Sequence, residues 1–278
     1  MSTDQIMGSI EDLQMGDHLC CLYETEKEHK NILTPYIIQG LENNEKIVYI
    51  LDKHTKNTVK TYIQDMDLDA NSLIESGQFV FLSTGESYIL DGHFHPDSMI
   101  TLLQNSLDVA LQEGYSALRV TGEMSWILKG LKGSEKFIEY ESKLNQFFPG
   151  KKCIGLCQYN LTDFNNNLLL DVLLTHPKVA LADKIYKNIY YIPTSQYHAN
   201  NLPYSTFETW IKNLKNQAKY EDILTLSEKR YRNLFENSPI SLWEEDFSQV
   251  KSFIEQLKED SVDDFREYFE NNPDIVNI

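Results

Sequence analysis

Three stretches of this 278-residue chain place chemically able side chains where buried strands end: Tyr23-Glu24, Thr121-Gly-Glu-Met-Ser-Trp126 and Cys157-Gln-Tyr-Asn160. In open α/β sheets ligands bind at the carboxyl ends of strands. If these ends meet, they make a pocket of aromatic faces with a few polar anchors, the usual make-up of a small-molecule site. Glu123 is suited to hold a cation or a hydrogen-bond donor, and Trp126 to wall an apolar or cationic group. Both residue types also have plain structural uses, since a Glu after a strand caps the next helix and a Trp fills core.

Cys153 and Cys157 are four apart and so share one face of a strand, while Cys20-Cys21 lie on the first strand. A metal or redox centre would combine such thiols with His18, His93, His95 or His176. The spacing forms no pair of Cys-x-x-Cys motifs, and free Cys is among the most buried residue types, so the cysteines are read as core. Phe94-His-Pro-Asp97 reads as a helix start with Pro in the first turn, and His176-Pro177 as a helix stop. No metal ligand and no cofactor is expected.

Nucleotide chemistry would need a Gly-rich loop ending in Lys-Ser/Thr after the first strand, to cradle phosphates with backbone N–H groups. That place is taken by Tyr23-Glu-Thr-Glu-Lys-Glu28, with no glycine and three glutamates that repel a triphosphate. The chain also has no Gly-x-Ser-x-Gly elbow and no His-Glu-x-x-His pair.

The elements that must position these residues alternate. Buried strands are expected at His18–Tyr23, Ile47–Leu51, Phe79–Leu82, Ala117–Thr121 and Cys153–Cys157. Helices are expected around Ile32–Leu41, Thr55–Met66, Pro96–Gln112 and Ser134–Phe147, with a terminal strand or hairpin over Val179–Ile192 around Lys187-Asn188 at the sheet edge. Repeated βα units imply a three-layer α/β fold, RecA/Rossmann-like, with a mostly parallel sheet, helices on both faces and a C-terminal helical extension. From Thr206, Phe207, Ile211, Leu214 and Ala218 keep a 4-3-4 spacing that suits either a short coiled-coil linker or an ordinary amphipathic helix.

A net charge of -17 argues against a nucleic-acid backbone as direct partner. From Glu236 to Ile278 there are 12 acidic and 3 basic residues, which marks that piece as a separate compositional unit. No apolar run is long enough to span a bilayer, and Met1–Gly8 has neither a basic start nor an apolar core, so a cytoplasmic location with reduced thiols is expected.

At Gly16-Asp-His-Leu-Cys-Cys-Leu-Tyr23, Gly40-Leu-Glu-Asn-Asn-Glu-Lys-Ile-Val-Tyr-Ile50 and Leu118-Arg-Val-Thr-Gly-Glu-Met-Ser-Trp126 the sequence resembles the MEDS family of methanogen and methylotroph sensory domains. Tyr140-Glu141, Leu156-Cys-Gln-Tyr159, His176-Pro177 and Asn188-Ile-Tyr-Tyr191 extend the resemblance over about residues 14 to 200. It implies a relative of the RecA/KaiC ATPase fold whose phosphate loop has been replaced. It also implies a role in sensing small, hydrocarbon-like molecules and passing the signal to an attached kinase or DNA-binding domain. Carried across residue by residue, the ligand-site members it implies are His18, Tyr23, Glu123, Trp126, Gln158, Tyr159 and His176.

Arg230-Tyr-Arg-Asn-Leu-Phe-Glu-Asn-Ser-Pro-Ile-Ser-Leu-Trp-Glu-Glu-Asp-Phe247 resembles the opening of a PAS domain in archaeal sensor histidine kinases, though the stretch is too short for a whole PAS fold. The expected organisation is a sensory domain at 10–203, a linker helix at 204–232 and a partial PAS segment at 233–278, with two amphipathic helices between Val250 and Phe269. The expected function is that of a small-molecule sensor in a two-component system, not an enzyme, with homodimerisation through the linker helix and no membrane span. Its rivals are a metal-dependent or residual nucleotide-hydrolysing enzyme using Glu123 with His and Cys ligands, and a scaffold without a ligand.

Overall fold

The computed structural model describes residues 7–8, 10–181, 184–193, 223–233, 248–259, 262 and 264–272. Strands β2 (His18–Tyr23), β3 (Lys46–Leu51), β7 (Leu118–Glu123) and β8 (Cys153–Asn160) are buried at every residue. Such unbroken burial is what parallel strands covered on both faces require. With β4 (Phe79–Ser83) and β9 (Lys178–Leu181) they form six parallel strands, in the order β9-β2-β8-β7-β3-β4. Antiparallel β10 (Lys184–Lys187) and β1 (Met7–Gly8) extend the β9 edge, giving an eight-stranded sheet. The expected α/β three-layer class is the one observed.

Alternation along each strand divides the core in two. Leu19, Cys21 and Tyr23 with Tyr49, Ile154 and Leu156 pack under α1 (Glu26–Glu42), α2 (Lys56–Gln64) and α3 (Ala70–Glu75). Cys20 and Leu22 with Val120, Cys153, Cys157 and Tyr159 pack under α4 (Pro96–Gln112), α5 (Phe137–Phe147) and α6 (Asn166–Thr175). Helix α4 shows why: Met99, Leu103, Leu107 and Ala110 form one stripe, and burial of each large member stabilises by about 1.5–3 kcal/mol.

The structure corrects several expectations. Helix α3 was not anticipated and α6 was marked only by its stop at His176-Pro177; β7 and β8 run on to Glu123 and Asn160, while Met124–Lys129 forms a 3-10 helix after β7. A small hairpin, β5 (Ile89–Leu90) and β6 (His93–Phe94), turns at Asp91-Gly92, both with positive φ, as a two-residue hairpin turn demands. The terminal hairpin pairs Lys184–Lys187 with Lys178–Leu181, so Lys187-Asn188 lies at its far end and not at its turn. Asn188 instead anchors its chain, its amide donating to the carbonyls of Leu173 (2.6 Å) and His176 (2.7 Å).

A second unit starts at Asp222. It contains a helix at 223–233 and the two expected amphipathic helices, Ser248–Glu259 and Phe265–Asn271. The expected coiled-coil stretch at 206–218 and most of the PAS-like motif, 234–247, lie outside the described residues. Among the described residues no helix is long and apolar enough to cross a membrane.

Candidate functional site

The seven sequence-derived candidates separate into three places. Tyr23, Glu123 and Gln158 converge at the carboxyl ends of β2, β7 and β8 on the α1 side. His18, Tyr159 and His176 gather on the opposite face, beneath α5 and α6. Trp126 joins neither group. It is fully buried, stacked on Tyr88 at 4.9 Å and 4.5 Å from Phe94, with its indole N–H unpartnered.

At the strand ends Glu123 is the hub. Its Oε2 accepts the backbone N–H groups of Asp52 (2.9 Å), Lys53 and His54 (2.9 Å), a backbone nest of the kind that binds anions. Its Oε1 accepts the Tyr49 hydroxyl at 2.9 Å and faces His54 Nδ1 at 3.1 Å. Burial pushes this carboxyl up, but His54 and the nest outweigh it and hold it below the ordinary range. His54 Nε2 meets Glu26 Oε2 at 2.9 Å, so both ring nitrogens face carboxylate oxygens, which only accept. Burial works against the charged ring, yet Glu123 and Glu26 raise its pKa. The Tyr62 hydroxyl completes this side, donating to Glu26 Oε2 at 2.8 Å.

Gln158 is fixed in one orientation. Its Nε2 donates to Thr121 Oγ1 (2.7 Å), which itself donates to the Leu156 carbonyl, so Gln158 Oε1 accepts. His29 Nε2 therefore donates to that oxygen at 2.7 Å, and His29 Nδ1 is left as a buried acceptor with no partner. The His29 ring lies between Tyr23 (4.4 Å) and His54 (4.6 Å, stacked). Glu26, His29 and His54 are close enough together to hold a cation.

Burial lowers His29 to about 4, with Gln158 opposing and His54 assisting. The unfolded state takes up a proton near pH 6.5 and the folded state only near 4, so stability falls as pH drops through this window. The full cost is about 3 kcal/mol, and the loss levels off below about pH 4. Urea unfolding of the His29→Asn variant between pH 7 and 4 is expected to show a shallower pH slope than the parent chain. An unchanged slope would place the titration elsewhere.

The group on the other face is wholly buried. Glu141 Oε1 accepts the Tyr159 hydroxyl at 2.8 Å, while Oε2 lies 3.3 Å from His18 Nε2 and 3.1 Å from His176 Nε2. Cys157 Sγ is 3.5 Å from His18 Nε2 and 4.0 Å from Glu141 Oε2. Burial alone would push the Glu141 carboxyl up, but the two histidines draw it down to about 2. Cys157 also borders a cavity of about 20 Å³ over Gly122 and Gly155, between Tyr88, Tyr140 and Phe148, room for one water. Cys20 and Cys153 are buried in core packing, as expected, and every cysteine is free. Glu123 and Cys157 lie on opposite faces of the sheet, so the rival enzyme reading cannot pair these two residues.

Five members of the two groups are absent from the seven sequence-derived candidates: His29, Tyr49, His54, Glu141 and Asn145. His29 precedes Ile32-Leu33 by one helical turn, and Glu141 sits between Tyr140 and Leu144 on the buried stripe of α5. A polar residue in phase with an apolar stripe was the available signal.

Fold and geometry together define a three-layer α/β domain with its polar chemistry at the ends of a parallel sheet and under one helical layer. The chain belongs to the MEDS family, MEthanogen/methylotroph, DcmR Sensory domain, which it matches over residues 17–177. It is 24% identical over 168 residues to the transcriptional repressor DcmR of Methylorubrum extorquens, a match covering 59% of this chain and 60% of that protein. Among solved structures it is similar to a KaiC-like protein from Pyrococcus horikoshii OT3, with 11% identity, TM-score 0.45 and coverage of 64% of this chain and 76% of the other. A second is an uncharacterized Pyrococcus horikoshii protein in complex with an unknown peptide, with 12% identity, TM-score 0.48 and coverage of 60% and 77%.

Proposed function

We propose that this sensory domain binds a small molecule at the carboxyl ends of β2, β3, β7 and β8 and passes its occupancy to an output region, without catalysing a reaction. One observation carries the reading: where a phosphate loop would lie, the sheet end is filled by a buried network of side chains. The β2–α1 connection is only Glu24-Thr25, closed by a capping box in which Thr25 and Glu28 satisfy each other's backbone N–H groups. The nearby anion nest holds the chain's own Glu123. What is left open is the His29 Nδ1 lone pair, walled by Tyr23 and His54. That favours an uncharged ligand with one O–H or N–H donor on a small apolar body.

Signalling requires that ligand bind two arrangements of the protein with different affinity. Ile223, Leu224 and Leu226 are exposed on the helix at 223–233, a surface suited to homodimerisation and to an attached kinase or regulator output. Native mass spectrometry of the whole chain is expected to find a co-purifying small molecule, and calorimetry is expected to give binding about tenfold weaker in His29→Phe, the loss of one buried hydrogen bond. Magnesium-dependent ATP turnover, or binding indifferent to His29→Phe, would sink the proposal.

A further inference from the structure

We propose that His18, Glu141, Cys157 and His176 form a closed tetrahedral site for a divalent transition metal, zinc by its donor set. His176 Nδ1 lies 2.8 Å from the Val172 carbonyl oxygen, which only accepts, so Nδ1 carries a proton, and in the neutral ring Nε2 is a bare lone pair. His18 Nδ1 lies 2.9 Å from Asn145 Oδ1, and the orientation of that amide is fixed because its nitrogen donates to the Thr175 carbonyl. In the neutral ring His18 Nε2 is bare as well. Both lone pairs point at Glu141 Oε2, and His176 Nε2, though 3.1 Å away and fully buried, makes no hydrogen bond.

With neutral rings, two imidazole lone pairs, a carboxylate oxygen and a sulfur face one another with only the thiol proton as donor; with protonated rings, two buried imidazolium charges crowd one carboxylate oxygen. A cation at their centre removes the conflict. All four ligand atoms lie within 4.8 Å of one another. A tetrahedral zinc with bonds of about 2.0–2.3 Å holds its ligand atoms about 3.3–3.8 Å apart. The contacts of 3.1, 3.3, 3.5 and 4.0 Å bracket that range. Two nitrogens, one oxygen and one sulfur disfavour calcium and magnesium, which take oxygen ligands, and suit zinc.

The outer contacts also fit. Metal-bound histidines donate their second ring N–H to a carbonyl or carboxylate, and ligating carboxylates are themselves hydrogen-bonded. The Val172 carbonyl and Asn145 Oδ1 accept the ring N–H groups of His176 and His18, and the Tyr159 hydroxyl donates to Glu141. On binding, the Cys157 thiol gives its proton to solvent, and the two anionic ligands neutralise the dication. The ligands come from β2, α5, β8 and the end of α6, so the site would tie the strand pair at the centre of the sheet to two helices. Their wide spacing in sequence, Cys157 apart from any second cysteine ligand, explains why no motif announces it. This inference is independent of the small-molecule reading.

The test uses the whole chain without a histidine tag, purified without chelators. Elemental analysis is expected to give about one zinc per chain, reduced about tenfold or more in Cys157→Ala and in His176→Ala. Cobalt added to metal-free protein is expected to give intense tetrahedral bands and a thiolate charge-transfer band, the latter lost in Cys157→Ser. Asn145→Ala, which keeps every ligand and loses the support of His18 and the bond to the Thr175 carbonyl, should weaken affinity about 10–100-fold. Because the ligand variants are buried and could misfold, the cobalt spectrum of the unmutated chain stands as a separate readout. Folded parent protein that carries no zinc and gives no cobalt bands would overturn the assignment, as would metal content unchanged in both ligand variants.

Discussion

Replacing Arg119 by methionine is expected to cost about 3–5 kcal/mol of folding stability, the usual penalty for stranding one charge of a buried pair. Arg119 is 1% exposed and its partner Glu45 is fully buried. The guanidinium makes a two-pronged contact with the carboxylate, with Nη2 to Oε1 at 3.2 Å. Its Nη1 donates to the Tyr36 carbonyl and to Gln39 Oε1, both at 2.9 Å, and its plane lies 4.7 Å from the Tyr36 ring centre. Gly40 makes the room, since a Cβ there would meet Arg119 Cδ and Nε at 2.9 Å. One arginine thus pins α1 to the sheet at the end away from the strand-end cluster. Urea unfolding of Arg119→Met should show the loss. Adding Glu45→Leu should return most of it, because an apolar pair in place of a buried ion pair is often neutral. A double variant as unstable as the single one would mean that packing, not the stranded carboxylate, sets the cost.

The same arginine shows how far the sequence could be read. Leu118-Arg119-Val120 was legible as a strand, because every neighbour is apolar and the run is bounded by turn residues. Its burial partner was not, since Glu45 lies 74 positions away in a polar stretch that reads as a turn. The site behaved alike. Tyr23, Glu123 and Gln158 were legible because strand ends in a parallel sheet are predictable places for polar chemistry. Grouping them with His18, Tyr159 and His176 ignored alternation. Gln158 and Tyr159 are adjacent in one strand and must point to opposite faces, as must His18 and Tyr23, five apart. Helix α6, with Leu168-Leu-Leu170 and Leu173-Leu174 around Asp171, was marked only by its stop at His176-Pro177, because a nearly continuous apolar run blurs the helical period.

Glu123→Ala is expected to destabilise the domain by about 3 kcal/mol, through donors left without acceptors rather than through a lost ligand contact. The carboxylate satisfies three successive backbone N–H groups and the buried Tyr49 hydroxyl, and it balances the charge on His54. Tyr49 is fully buried and retains only the weaker 3.2 Å contact to Gln158, whereas Lys53 is exposed and its N–H can turn to water, which keeps the total below the sum of the parts. The pH dependence follows from the lowered carboxyl pKa. Stability from an ionised Glu123 is present above its unfolded value, near pH 4.3, and is lost as pH falls through the lower folded value. The gap between variant and parent should therefore be widest near neutral pH and close in strong acid. An emptied nest remains an anion site, so added sulfate or phosphate should raise the melting temperature of Glu123→Ala more than that of the parent. Equal salt responses in the two proteins would mean that the loop from Asp52 to His54 collapses without its carboxylate, and that Glu123 builds the nest instead of filling it.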